Sequence, residues 1–147
     1  MKASDIMTFG AATVSGHAPL TQAARLMVDH RISALPVLDA EGKVQGIISD
    51  GDFFRNGQPY AGLTKLMTMD AAARAKELGT HTVAEVMTAN PVTIDLDAPV
   101  EEAATLMEQH MVRRLPVTSE GRVVGLISRP DLLRMLLDSS WSPSRPS

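Results

Sequence analysis

Two short segments carry the side chains with the clearest chemical potential. Ser49-Asp50-Gly51-Asp52 follows the apolar run Gly46-Ile47-Ile48, and Ser128-Arg129-Pro130-Asp131 follows Gly125-Leu126-Ile127. Each pattern puts a hydroxyl at the end of a buried strand and a carboxylate three residues on, where the next helix opens. A carboxylate there satisfies free backbone N–H groups and suits the positive end of the helix dipole. Capping is therefore the simplest role for Asp52 and Asp131. Recurrence of the pattern shifts the weight toward a shared function.

The elements that position these residues recur too. Displaced by 80 residues, Met7-Thr8 falls on Met87-Thr88, Ala18-Pro19 on Ala98-Pro99 and Leu26-Met27 on Leu106-Met107. His30 meets His110, and Leu35-Pro36-Val37 meets Leu115-Pro116-Val117. The turn Asp39-Ala40-Glu41-Gly42 is one residue longer than Ser119-Glu120-Gly121. Beyond it Gly46, Ser49, Asp52 and Arg55 match Gly125, Ser128, Asp131 and Arg134. The chain thus holds a duplicated unit of roughly 55 residues. We divide it into repeat 1 (1–55), an insertion (56–81), repeat 2 (82–138) and a tail (139–147).

Each repeat reads as strand, helix, two strands, helix. Helical turns at 4–7 and 82–87 precede short strands at 11–14 and 91–94, the second turn with the Thr82/Glu85 capping-box spacing. Helices are expected over Leu20–His30 and Val100–His110, with stripes Leu20, Ala23, Ala24, Met27 and Val100, Ala103, Ala104, Met107, Met111. Pro19 and Pro99 suit the first turn, where a missing N–H costs little. Hairpins follow at 34–38 with 43–48 and at 114–118 with 122–128. The last helix of repeat 2 runs to about Leu137, with Leu132, Leu133, Leu136 and Leu137 apolar. In the insertion, residues 56–62 are turn-rich and 63–78 read as one helix ending at Gly79. The tail, apart from Trp141, has the composition of a disordered end.

Composition narrows the function. The chain has 147 residues, 44% hydrophobic and 21% charged, which are globular values. A net charge of −3 gives no pull toward nucleic acid or anionic membrane. No cysteine is present, so disulfides, thiolate metal sites and thiol catalysis are excluded. No stretch has the length of a signal peptide core or membrane span, and a soluble cytoplasmic protein is expected. His30 and His110 lack ligand-like neighbours, so no metal is expected. Met67 and Met69 read as flexible core filler.

The pattern Met-Thr, apolar strand, Ala-rich helix, Leu-Pro-Val, Gly-x-Ile-Ser-x-x-Asp resembles the CBS domain. Its duplication resembles the tandem pair called a Bateman module. The resemblance implies an α+β fold, two β-α-β-β-α repeats packed as a pseudo-two-fold module with two clefts for adenosine-containing ligands. It implies that Asp52 and Asp131 hold ribose hydroxyls, with Ser49 and Ser128 beside them near ribose or phosphate. The adenine slot it implies is Ile32, Ser33 and Ala34 in one copy and Val112, Arg113 and Arg114 in the other. In such pairs the Asp of one copy commonly faces the slot of the other, which would turn Arg113 and Arg114 toward the Asp52 ligand. Asp50 opposes an anion in the first loop, whereas Arg129 favours one in the second. Gly10-Ala11-Ala12 stands where repeat 2 has Asn90-Pro91-Val92, a departure that puts the placement of the first strand in question.

The function expected is a non-catalytic sensor binding AMP, ADP, ATP or NAD as ligand, with no required cofactor. The alternative is a ligand-free interaction or dimerisation scaffold. No nucleophile elbow, Walker loop or His-Glu-x-x-His occurs, so no enzyme is expected. The partners expected are the nucleotide, a second copy in a homodimer and an unidentified regulated protein, with neither nucleic acid nor membrane.

Overall fold

The computed structural model describes residues 1–54 and 62–142. The expected turns at 56–61, Arg55 and the end of the tail at 143–147 lie outside the described residues. The chain forms two compact units, residues 12–90 and residues 1–11 with 91–147.

The first unit holds a four-stranded sheet in the order β2-β3-β4-β5: Val14–Ser15, Ala34–Leu38, Val44–Ser49 and Thr88–Ala89. The second holds β1 (Thr8–Phe9), β8 (Arg122–Ser128), β7 (Arg114–Ser119) and β6 (Ile94–Asp95), in the order β1-β8-β7-β6. In each sheet the hairpin is antiparallel and the short strand before the long helix joins it in parallel. Helices α2 (Leu20–His30) and α6 (Val100–His110) bury Leu20, Ala23, Met27 and Val100, Ala103, Met107. They meet Leu35, Val37, Ile48 in one core and Leu115, Val117, Ile127 in the other.

The edge strands differ from the sequence expectation in an informative way. The N-terminal segment, α1 (Ala3–Ile6) and β1, completes the sheet of the second unit, pairing Thr8 with Leu126 and Phe9 with Gly125. The linker segment, α5 (Val83–Val86) and β5, completes the other sheet, pairing Ala89 with Gly46 and Thr88 with Ile47. Each repeat's opening residues therefore pack on the sheet of the other repeat's hairpin. The strands expected at 11–14 and 91–94 shorten to β2 and β6, starting at Val14 and Ile94. The preceding turns match: Gly10 and Asn90 both take positive φ, 66° and 52°. Glycine and asparagine are the residues that tolerate this region best, so that departure between the repeats leaves the backbone alike.

The exchanged segments also supply helix caps. Pro19 and Pro99 stand at the N-caps, without a side-chain hydrogen bond, rather than inside the first turn. The first helical N–H groups are satisfied by backbone instead: Leu20 N donates to His81 O at 3.0 Å and Val100 N to Met1 O at 3.0 Å. At the other end Arg31 and Met111 close the helices in the left-handed region. Met111 is therefore 91% exposed rather than part of the buried stripe. The Glu120-Gly121 turn has positive φ at both residues, the type I′ conformation that suits a two-residue hairpin loop. The longer first turn is held by Asp39 Oδ1, which accepts from Glu41 N and Lys43 N.

The insertion helix breaks in two, α3 (Leu63–Met67) and α4 (Ala71–Thr80). Asp70 makes the break, its Oδ1 accepting from Ala73 N at 2.8 Å as the N-cap of α4. Gly79 lies inside α4 rather than ending it, since His81 is the C-cap. Helix α7 (Arg129–Leu136) stops one residue before the expected Leu137, and Leu133, Leu136 and Leu137 face solvent.

The junction of α4 and α5 carries a pH-sensitive cluster. His81 Nδ1 donates to Glu85 Oε2 at 3.0 Å, with Nε2 3.6 Å from Glu77 Oε1. Glu85 Oε1 also accepts from Thr82 N and Thr82 Oγ1. The His81 hydrogen bond and then the Thr82 N–H hold the Glu85 carboxyl below its ordinary value. A lowered folded-state pKa stabilises above the unfolded pKa, and that contribution disappears as pH falls through the folded value. Melting temperatures of the wild type and Glu85→Gln are expected to differ at neutral pH and converge on acidification. A constant difference down to the most acidic pH would exclude the linkage.

Candidate functional site

The Ser-x-x-Asp segments adopt one geometry twice. Ser49 ends β4 and Asp52 lies in a short 3₁₀ helix, Asp50–Phe53. Asp52 Oδ2 accepts from Ser49 N at 2.8 Å and from Ser49 Oγ at 3.4 Å. Ser128 ends β8 and Asp131 stands in the first turn of α7. Its Oδ2 accepts from Ser128 N at 2.7 Å and Ser128 Oγ at 3.0 Å. The carboxylate thus reaches back to close the strand end, with the serine reciprocating as N-cap. Asp52 and Asp131 are only 6% and 5% exposed. A buried carboxylate is costly unless hydrogen-bonded, and these bonds supply the partners.

Backbone bonds bring the expected slot residues to these loops. Asp50 N donates to Ser33 O at 2.9 Å, and Ala34 lies opposite Ser49 in the hairpin. Ile32 N donates to Met27 O, tying the segment to the end of α2. In the second unit Arg129 N donates to Arg113 O at 3.2 Å, Arg114 lies opposite Ser128, and Val112 N donates to Met107 O. Each of these bonds lies within a single unit. Asp50 is exposed, its Oδ1 accepting from Gly51 N at 2.8 Å.

A groove of about 690 Å³ opens beside the second loop, lined by residues including Met107, Met111, Val112, Arg113, Arg129 and Leu132. It brings together three of the expected site residues, Val112, Arg113 and Arg129. Its walls are mostly apolar and carry two guanidinium groups against one carboxylate, Glu108. A second groove, about 460 Å³ along α2, runs past Arg25 and Asp29 and touches none of the expected site residues.

Arg134 joins the second Ser–Asp arrangement and had no role assigned from sequence. Its guanidinium Nη2 donates to Asp131 Oδ1 from one turn along α7. The i,i+3 spacing on a helix was the available signal. Arg55, its counterpart in repeat 1, lies outside the described residues.

Comparison with known proteins agrees with this architecture. Residues 3–58 and 83–138 match the CBS domain family, and the chain belongs to that family as a tandem pair. It is 34% identical over 134 residues to hypoxic response protein 1 of Mycobacterium tuberculosis, spanning 91% of this chain and 84% of that protein. The crystal structure of Hypoxic Response Protein I, with two coordinated zinc ions, superposes with a TM-score of 0.70 at 32% identity, covering 91% and 98% of the two chains. The CBS domain pair of MJ0100, solved with 5-methylthioadenosine and S-adenosyl-L-methionine, gives a TM-score of 0.70 at 27% identity, covering 92% and 95%. CBSX2 in complex with AMP gives 0.70 at 25% identity, covering 92% and 96%. No helix among the described residues is long and apolar enough to cross a membrane.

Proposed function

We propose that this chain is a non-catalytic sensor that binds an adenosine-containing nucleotide of the AMP, ADP, ATP or NAD class and transmits occupancy to a regulated protein. The carrying observation is the repeated Ser–Asp box, a nearly buried carboxylate at a strand end with the slot backbone hydrogen-bonded beside it. Asp52 and Asp131 accept ribose hydroxyls in this reading, with Ser49 and Ser128 adjacent. Ile32, Ser33, Ala34, Val112, Arg113 and Arg114 take the base, and Arg129 draws the phosphate. Two relatives solved with adenosine-containing ligands support the class. Among the described residues no group of three or more His, Cys, Asp or Glu is placed to hold a metal ion.

The reading includes a cytoplasmic homodimer, supported by the exposed apolar side chains of Leu133, Leu136, Leu137 and Met111. A monomer mass by light scattering would remove the dimer from it. One observation favours the scaffold alternative: both oxygens of Asp131 already have partners within the chain. Native mass spectrometry of the purified protein, followed by calorimetry with AMP, ADP, ATP and NAD, separates the two. Co-purified nucleotide or a saturable heat supports the sensor. No bound nucleotide and no heat from any of the four would leave the scaffold.

A further inference from the structure

Asp131 has one carboxylate oxygen committed to the fold and one covered by a side chain. Oδ2 takes both Ser128 N and Ser128 Oγ, the bonds that close the strand end. Oδ1 takes the guanidinium of Arg134. The Asp131 side chain is 4% exposed, whereas that of Arg134 is 69% exposed. The arginine therefore sits as a cap over a buried oxygen, with most of its own surface in water. A diol approaching Asp131 needs Oδ1, because using Oδ2 would break the serine box.

We propose that Arg134 is a specificity-determining residue of the Asp131 site, selecting phosphate-bearing nucleotides over neutral nucleosides. The inference rests on reading Asp131 as ribose-binding. A ribose displaces the guanidinium from Oδ1 and leaves it without its anion. A neutral nucleoside offers no replacement. A nucleotide brings phosphate oxygens, which a planar guanidinium matches in bidentate fashion. The long stem of arginine lets the charged head move while the stem stays packed. The pair is exposed on the arginine side only, so the guanidinium can leave Oδ1 into water while a ribose hydroxyl takes its place on the buried oxygen.

The test is calorimetry with adenosine and AMP on Arg134→Gln and Arg134→Lys, in an Asp52→Asn background so that only the second site is read. Melting curves confirm that each variant folds, which is expected for an exposed side chain. Arg134→Gln is expected to tighten adenosine about 2- to 5-fold, because the ribose no longer has to displace a guanidinium from Oδ1. It is expected to weaken AMP, so that the preference for AMP over adenosine falls about tenfold. Arg134→Lys keeps a cation and is expected to retain most of that preference. An unchanged preference in Arg134→Gln, with Asp131→Asn still weakening both ligands, overturns the role of Arg134 alone. If Asp131→Asn in the same background leaves both affinities unchanged, the ribose reading falls and this inference with it.

Discussion

Asp131→Asn and Asp52→Asn are each expected to weaken AMP binding at their own site about 10- to 150-fold, the equivalent of roughly 1.5–3 kcal/mol for a lost charge-assisted hydrogen bond. The fold is expected to survive. Asparagine keeps one acceptor oxygen, which can take the place of Oδ2 and receive Ser49 N or Ser128 N. The N-cap residues are Ser49 and Ser128, which the substitution leaves in place. What asparagine loses is the second acceptor. In Asp131→Asn the amide NH₂ would meet Arg134, donor against donor, and the exposed arginine turns into water. The melting temperature should then move little while the calorimetric affinity drops. Unchanged affinity in both variants would sink the ribose role and leave these carboxylates as caps. A collapse of stability with no bound nucleotide in the wild type would point the same way.

Gly46→Ala and Gly125→Ala are expected to be the most destabilising of the small substitutions. A methyl group at Gly46 would meet the Met87 side chain and come within 2.7 Å of Thr88 O. At Gly125 it would meet the Met7 side chain and come within 2.8 Å of Thr8 O. The methionines can rotate away, but the carbonyls belong to β5 and β1 and move only if those strands leave the sheet. Alanine restricts the unfolded chain and returns about 0.4–1 kcal/mol, against roughly 1–3 kcal/mol for overpacking. The clash is with backbone, so overpacking prevails, by about 1–2 kcal/mol net. At roughly 2–4 °C per kcal/mol for a chain of this size, the melting shift is several degrees. Gly51→Ala is the control, since its nearest neighbour would be Ser49 Oγ at an ordinary 3.7 Å. Equal melting of all three variants would contradict the tight approach of the exchanged strands.

This pair of glycines also marks the limit of what the sequence carries. Periodicity placed α2 and α6, because an apolar face at i, i+3, i+4 and i+7 is a local property of the chain, although Ala104 of the expected stripe is exposed. The duplicated hairpins and both Ser-x-x-Asp boxes were legible for the same reason. Capping and hairpin chemistry act over three or four residues, and having two copies separated signal from coincidence. The Asp70 break in the insertion was missed, although Asp70 is a good cap residue, since the Ala-rich composition on both sides reads as one continuous helix.

Tertiary structure decided the partners of the two-residue edge strands. Thr8-Phe9 and Thr88-Ala89 are too short to show alternation, and nothing local says which sheet each will join. Only the folded chain shows that the N-terminal segment completes the sheet of the repeat 2 hairpin and that the linker completes the other. The same exchange gives Leu20 and Val100 their backbone caps, which explains prolines at the N-caps that no side chain could serve. Met111 and Arg134 were also settled only in the folded chain, although their partners are near in sequence. Helical spacing assigned Met111 to a buried face, but closure of α6 in the left-handed region turned it out to solvent. Arg134 was one more charged residue on a helix until Asp131 Oδ1 was seen to have it as partner. Local order follows from near-neighbour sterics and hydrogen bonding, which the sequence spells out residue by residue. The choice of sheet partner depends on distant segments meeting, and only the folded chain brings them together.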